Sequence, residues 1–171
     1  SIGLQLRLSL SESGSDRVLT QIKKGVTADQ LIEAVRKIED GGIKASVTFI
    51  SGLAGKDDWK EHAVKTGRMI SRMEPSYVGL LTLMIERGTE LYRDIQSGDF
   101  KLLSPYEVLL ETELMLQNIQ VEKTCVFRSN HASNYLSLRG DLPSDKDAML
   151  YQIKLAKENA SMLKEERFRM L

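Results

Sequence analysis

Between Ile43 and Lys56 the chain reads IKASVTFISGLAGK, and a helical pattern beginning DDWKEH follows at once. Ile43, Ala45, Val47 and Phe49 fall on one face of a strand, with Ser46 and Thr48 on the other. A buried strand that passes through a glycine turn into a helix is the repeating unit of α/β proteins. In such folds ligands bind past the carboxyl ends of the strands, which places the expected sites near Ile50 to Lys56.

The flanking sequence repeats the unit. Ile2, Leu4, Leu6, Leu8 and Leu10 alternate with Gly3, Gln5, Arg7 and Ser9, giving a first strand with one apolar face. Glu12 to Asp16 then turn the chain, and Ser15 or Asp16 is placed to cap a short helix through Lys24 that Gly25 ends. Thr27 and Gln30 have capping-box spacing, and Leu31, Val35 and Ile38 mark the inner face of a helix closed by Gly41-Gly42. After the central strand, Trp59, Ala63, Ile70 and Met73 trace a helix that ends before Pro75. Tyr77 to Ile85 is apolar on both faces, as a buried parallel strand requires. A short helix, TELYRDIQ, ends at Ser97-Gly98, and Ser104-Pro105-Tyr106-Glu107 starts the next with inner positions Val108, Thr112, Met115 and Ile119. Lys123 to Arg128 reads as a fourth strand, and SNHASNYLSLRGDLP as a polar loop. Ser144 is expected to cap a last helix with Met149, Ile153, Ala156, Ala160 and Leu163 inward, and KEERFR to form a frayed, solvated extension.

The expected fold is therefore α/β, a partial (β/α) barrel of about four parallel strands with outer helices plus a C-terminal helix. Residues 1–143 would form the half barrel and residues 144–171 the helix packed on it. Four units are half of the eight-strand barrel, so the open edge should meet a missing half or a second copy. The chain opens without methionine inside a strand pattern, which points to a longer protein.

Charge and cysteine content narrow the partners. Lys+Arg and Asp+Glu both number 24, which gives no pull toward nucleic acid or an anionic membrane surface. The single cysteine, Cys125, excludes an intramolecular disulfide and any multi-thiolate metal site within the chain. A reducing cytoplasm fits that usage. No apolar run reaches the roughly 18 residues of a membrane span.

The runs ESGSDRVLTQIKKGVT, VTFISGLAGK, EPSYVGLLTLMIERGTELY, SPYEVLLETELMLQNI and VFRSNHASNYLSLRGDLPSDKD occur in that order. Together they resemble the C-terminal half of the radical S-adenosylmethionine (SAM) barrel, in the branch described as elongator-type or coproporphyrinogen-oxidase-like. The resemblance implies that Glu12 contacts the ribose or amino-acid part of SAM. It also implies that Gly52 lets the backbone come close to the adenine, and that Leu80, Leu81, Thr82 and Leu83 offer backbone groups to the adenine edge. The family's loop of three closely spaced cysteines, which holds a [4Fe–4S] cluster, is absent here. The cofactors implied are thus SAM and a cluster carried by a segment outside this chain, with a reductant as partner of the full enzyme. In that enzyme, reductive cleavage of SAM yields a 5′-deoxyadenosyl radical that abstracts hydrogen from a small-molecule or macromolecular substrate. This chain alone would be inactive. Leu10-Ser11 stands where relatives show Gly-Leu, and Arg87 where a proline is common.

Each candidate also has a plainer reading. Glu12 can be an exposed turn acid. Ser129, Asn130, His131 and Asn134 either face the active site as substrate-side groups or cap their own loop. GLAGK fails the phosphate-loop pattern, since Ile50 stands where the first glycine belongs and Asp57 follows Lys56. Lys56 and His62 are expected to be exposed, Cys125 to be a small buried residue, and Trp59 and the methionines to be core or interface. Arg7 lines a cavity or meets water. A competing function is a nonenzymatic half-barrel module that holds a nucleotide-like ligand or a protein partner, and it would lack CxxxCxxC in the preceding ~150 residues. RNA binding through GLAGK is disfavoured by the neutral charge.

Overall fold

The computed structural model describes residues 5–170, with side chains from Glu12 onward. The alternation of the first strand's side chains and the surroundings of Arg7 lie outside the described residues. The elements run β1 (Gln5–Glu12), α1 (Asp16–Gln21), α2 (Ala28–Asp40), β2 (Lys44–Ser51), α3 (Gly55–Met73) and β3 (Tyr77–Thr82). They continue with α4 (Glu90–Ser97), α5 (Pro105–Gln117), β4 (Cys125–Ser129), β5 (Leu138–Leu142) and α6 (Lys146–Glu158), followed by two single 3₁₀ turns. The sheet order is β1-β2-β3-β4-β5. The first four strands are parallel, and β5 returns antiparallel to β4. Four parallel strands in chain order with intervening helices are the expected partial barrel.

Capping explains where the helices begin. Thr27 accepts from the Gln30 amide while the Gln30 side chain accepts from Thr27 N–H, and Ser104 and Glu107 make the same reciprocal pair. Pro105 occupies the first turn of α5, where its missing N–H removes no bond. The helix-facing side of the sheet carries Ala45, Val47, Phe49, Val78, Leu80 and Phe127, all buried against a layer that includes Ile70, Met73, Met115 and Leu116. Each large side chain so removed from water contributes about 1.5–3 kcal/mol. On the opposite face Thr48, Ile50, Tyr77, Gly79, Leu81 and Val126 are only half-buried. That face is uncovered and mixed in character, because it also carries half-buried Ser46 and exposed Arg128.

Several expectations are corrected. The stretch read as a polar loop contains β5, whose Leu138 and Leu142 are buried while Arg139 and Asp141 between them disguise the alternation. β3 stops at Thr82, short of Ile85, and α1 stops at Gln21, short of Lys24. Ser144 does not cap α6. It donates to the Asp141 carbonyl, and Asp145 takes the cap position. α6 ends at Glu158, so Ala160 lies in a 3₁₀ turn and is exposed. The KEERFR segment is not wholly solvated, because Arg169 folds back and is buried.

Candidate functional site

The carboxyl ends of β1 to β4 form one rim. β1 closes with a register shift between Leu8 and Glu12, after which Glu12 pairs with Phe49 of β2. Glu12 adopts a left-handed backbone (φ 47°), rare for a residue with a side chain and a common mark of constrained turns. Its carboxylate accepts a hydrogen bond from Lys24 Nζ at 3.0 Å. The chain then passes through Ser13 and Gly14, and the Gly14 N–H donates to Thr66 Oγ1 on α3 at 2.9 Å. A Cβ on Gly14 would lie 2.5 Å from the Lys65 carbonyl oxygen, so only glycine fits this crossing. β2 ends at Ser51, and Gly52 turns the chain at φ 83°, which favours glycine. Glu12 and Gly52 therefore sit on the same rim.

Beneath that rim lies a buried polar pair. His62 on α3 and Glu111 on α5 are both fully buried, with His62 Nε2 4.0 Å from Glu111 Oε1. His62 was expected to be exposed. It is buried because it shares a helix face with Ala63, Thr66 and Ile70. Its Nε2 lies 3.1 Å from the Ile50 carbonyl, which can only accept, so Nε2 carries the proton. Nδ1 then accepts from Ser13 Oγ at 2.8 Å. Burial pushes the imidazole down to about 4, against a smaller opposing effect of the Ile50 bond, and keeps it neutral. Glu111 Oε2 accepts from Ser51 Oγ and, at 2.8 Å, from Gly52 N–H. Its Oε1 has no partner among the described residues. Burial raises this carboxyl to about 7, more than the Ser51 and Gly52 bonds lower it. His62 thus holds the β1 turn, and Glu111 holds the β2 turn.

Past Gly79 and Arg128, β4 no longer pairs with β3, and the loop after β4 takes its place. Asn134 Nδ2 donates to the Leu80 carbonyl at 2.8 Å, and Thr82 N–H donates to Ser133 Oγ at 3.2 Å. Thr82 Oγ1 donates to Asn134 Oδ1. Leu83 N–H donates to the Ser51 carbonyl, and the Leu83 carbonyl accepts from Arg169 Nη2. These backbone groups of residues 80–83 are bonded within the chain, while the Leu81 side chain lies half-buried on the uncovered face. Ser129 and Asn134 are buried, whereas Asn130 and His131 are exposed at the rim. His131 Nδ1 accepts from the Ser133 N–H at 3.2 Å, so this part of the loop does cap itself.

Two hollows adjoin the rim. A cleft of about 500 Å³ lies between α1, the β2–α3 turn and α4, with Lys23, Lys56 and Lys101 facing Asp57, Glu90, Asp94 and Asp99. Lys56 there is half-exposed and pairs with Glu107 at 3.3 Å. A second pocket of about 230 Å³ sits above the ends of β2 and β3, bounded by Ser51, Gly52, Leu83, Leu103, Tyr135 and Arg169.

No family model matches the sequence, and no curated protein matches it either. Among solved structures, the chain is similar to archaeal Methanocaldococcus infernus Elp3 with an N-terminal deletion. The likeness has a TM-score of 0.63 at 18% identity, over 93% of this chain and 37% of that one. This chain shares the fold of that structure. It spans little more than a third of its length.

The cofactors implied by the sequence resemblance meet these residues unequally. Cys125 is buried in β4 and its thiol is pushed up to about 12, first by burial and then by Glu39 and Asp141, so it offers no thiolate. Among the described residues no three His, Cys, Asp or Glu side chains converge as metal ligands. An iron–sulfur cluster does not fit this chain. At the rim the Glu12 side chain is 28% exposed and can accept from hydroxyl or ammonium groups, while Ile50 and Leu81 are half-buried apolar side chains on the sheet face of Gly79. No helix among the described residues is long and apolar enough to cross a membrane.

Proposed function

We propose that this chain is the C-terminal part of a cytoplasmic radical SAM enzyme, with the segment from Ser144 onward packed on its half barrel. The reading rests on one observation: parallel strands in chain order bring Glu12 and Gly52 to one rim, beside a half-buried sheet face that carries Ile50 and Leu81. SAM, held in part by these residues, would supply radical chemistry for hydrogen abstraction in the full enzyme, with the cluster held outside this chain. The residues here bind and orient. Glu12 accepts from the ribose or amino-acid end of SAM, the Gly52 turn and Leu81 border the adenine, and residues 80–83 set the height of its edge. Asn130 and His131 face the substrate, with Ser129 and Asn134 holding their loop in place. The rest of the barrel and an external reductant complete the enzyme.

Titration of this chain with 5′-deoxyadenosine, followed by amide NMR shifts, tests the reading. Saturable shifts should appear at Glu12, Gly52 and Leu81. Glu12→Ala should weaken binding about tenfold, the value of one hydrogen bond to a charged group. Shifts confined to other elements, or binding that Glu12→Ala leaves unchanged, would overturn it.

A further inference from the structure

We propose that the pocket above the ends of β2 and β3 binds a small monocarboxylate with an apolar body, in place of the chain's own Glu166. The Arg169 side chain is only 3% exposed. Its Nε donates to the Ser133 carbonyl at 2.6 Å, its Nη2 to the Leu83 carbonyl at 2.9 Å, and its Nη1 to the Tyr135 hydroxyl. The guanidinium also lies 4.1 Å over the Tyr135 ring. A cation buried this deeply needs a counter-charge. Glu166 supplies it, with Oε1 and Oε2 at 2.8 and 2.7 Å from Nη1.

The counter-charge is held from outside. The Glu166 side chain is 68% exposed, three residues from Arg169, in a single 3₁₀ turn. The Tyr135 hydroxyl donates to Glu166 Oε2 at 2.7 Å, and burial together with that bond pushes the phenol up to about 12, so it stays a donor at neutral pH. Arg169 and Tyr135 thus present convergent donors at the edge of the pocket, and a solvent-facing carboxylate fills them.

The remaining walls are chiefly Leu83, Met84, Ile85, Leu102 and Leu103, which suit a branched hydrocarbon body. A volume of about 230 Å³ is the space of roughly eight waters at ~30 Å³ each, so the ligand is small. One guanidinium balances one negative charge. A phosphate dianion would leave a second charge unmatched in an apolar pocket. The site shares Gly52, Thr82 and Leu83 with the nucleoside reading but uses neither Glu12 nor Leu81, so those two residues tell the two ligands apart.

Isovalerate is the probe, with isovaleramide as the uncharged isostere and inorganic phosphate as the second anion, in NMR titrations of the whole chain at pH 7. Isovalerate should give saturable shifts at the Arg169 Nε–H and at the Leu83, Leu103 and Tyr135 amides. Glu166→Ala removes the internal competitor and should tighten isovalerate about tenfold, the value of a displaced charge-assisted bond. Tyr135→Phe should weaken it. Neither variant removes the buried arginine, so the outcome does not hinge on the fold of an Arg169 variant. No saturable shift in wild type and Glu166→Ala, equal binding of isovaleramide, or phosphate producing the same shifts would overturn the proposal. Nucleoside shifts at Glu12 and Leu81 are read separately in the same spectra.

Discussion

Replacing Glu111 by glutamine should change how the stability of this protein depends on pH. The side chain keeps its shape and can still accept from Gly52 N–H and Ser51 Oγ, but it can no longer ionise. In the folded chain Glu111 titrates near 7 instead of 4.5, so between those values the folded state holds a proton that the unfolded state has lost. Stability therefore falls as pH rises through the window, by about 3 kcal/mol at ~1.36 kcal/mol per unit. His62 works in the opposite direction. Its folded value near 4 lies below the ordinary 6.5, so stability is lost as pH falls through that range, again by about 3 kcal/mol. In the wild type the two slopes largely cancel between about pH 4.5 and 6.5, the overlap of the two ranges. In Glu111→Gln the His62 slope should stand alone, and the variant should gain about 3 kcal/mol relative to wild type between pH 4.5 and pH 8. Urea denaturation at half-unit pH steps measures this directly. Parallel stability curves for the two proteins would refute the buried, proton-holding placement of Glu111.

Two further outcomes follow from packing. The Cys125 thiol should resist a thiol reagent in the native state and react at once in urea, because it is buried and its thiolate is disfavoured; rapid native labelling would contradict that. Gly14→Ala should cost roughly 1–3 kcal/mol by forcing the β1 turn off α3, read as a lowered urea midpoint with unchanged m; a neutral effect would mean that the crossing is looser than the 2.5 Å approach indicates.

Features that depend on neighbours in sequence were legible in it. Thr27 with Gln30 and Ser104 with Glu107 announced two helix starts, and Ala45, Val47 and Phe49 announced the core face of β2. The His62–Glu111 pair is hard to see in the sequence, because an ionisable residue on an amphipathic helix ordinarily faces water. A signal was available. Glu111 is three residues after Val108 and four before Met115, on the inner stripe of α5, and His62 shares a face with Ala63 and Thr66 on α3. β5 escaped because Arg139 and Asp141 flank Gly140, leaving Leu138 and Leu142 as the sole apolar marks of the strand. Arg169 was lost for a different reason. Its partners, Leu83, Ser133 and Tyr135, come from distant parts of the chain, and no local pattern announces such a meeting.

The contact of Asn134 with Leu80 has an evolutionary corollary. A carboxamide carries the same donor and acceptor as a peptide group, so this side chain completes a ladder that the departing strand left unfinished. Drift in the loop is then tethered to the sheet: its tip can vary in length and composition, provided that an amide and a hydroxyl still arrive at the same two places. A relative that changed both would have to extend its fourth strand in compensation.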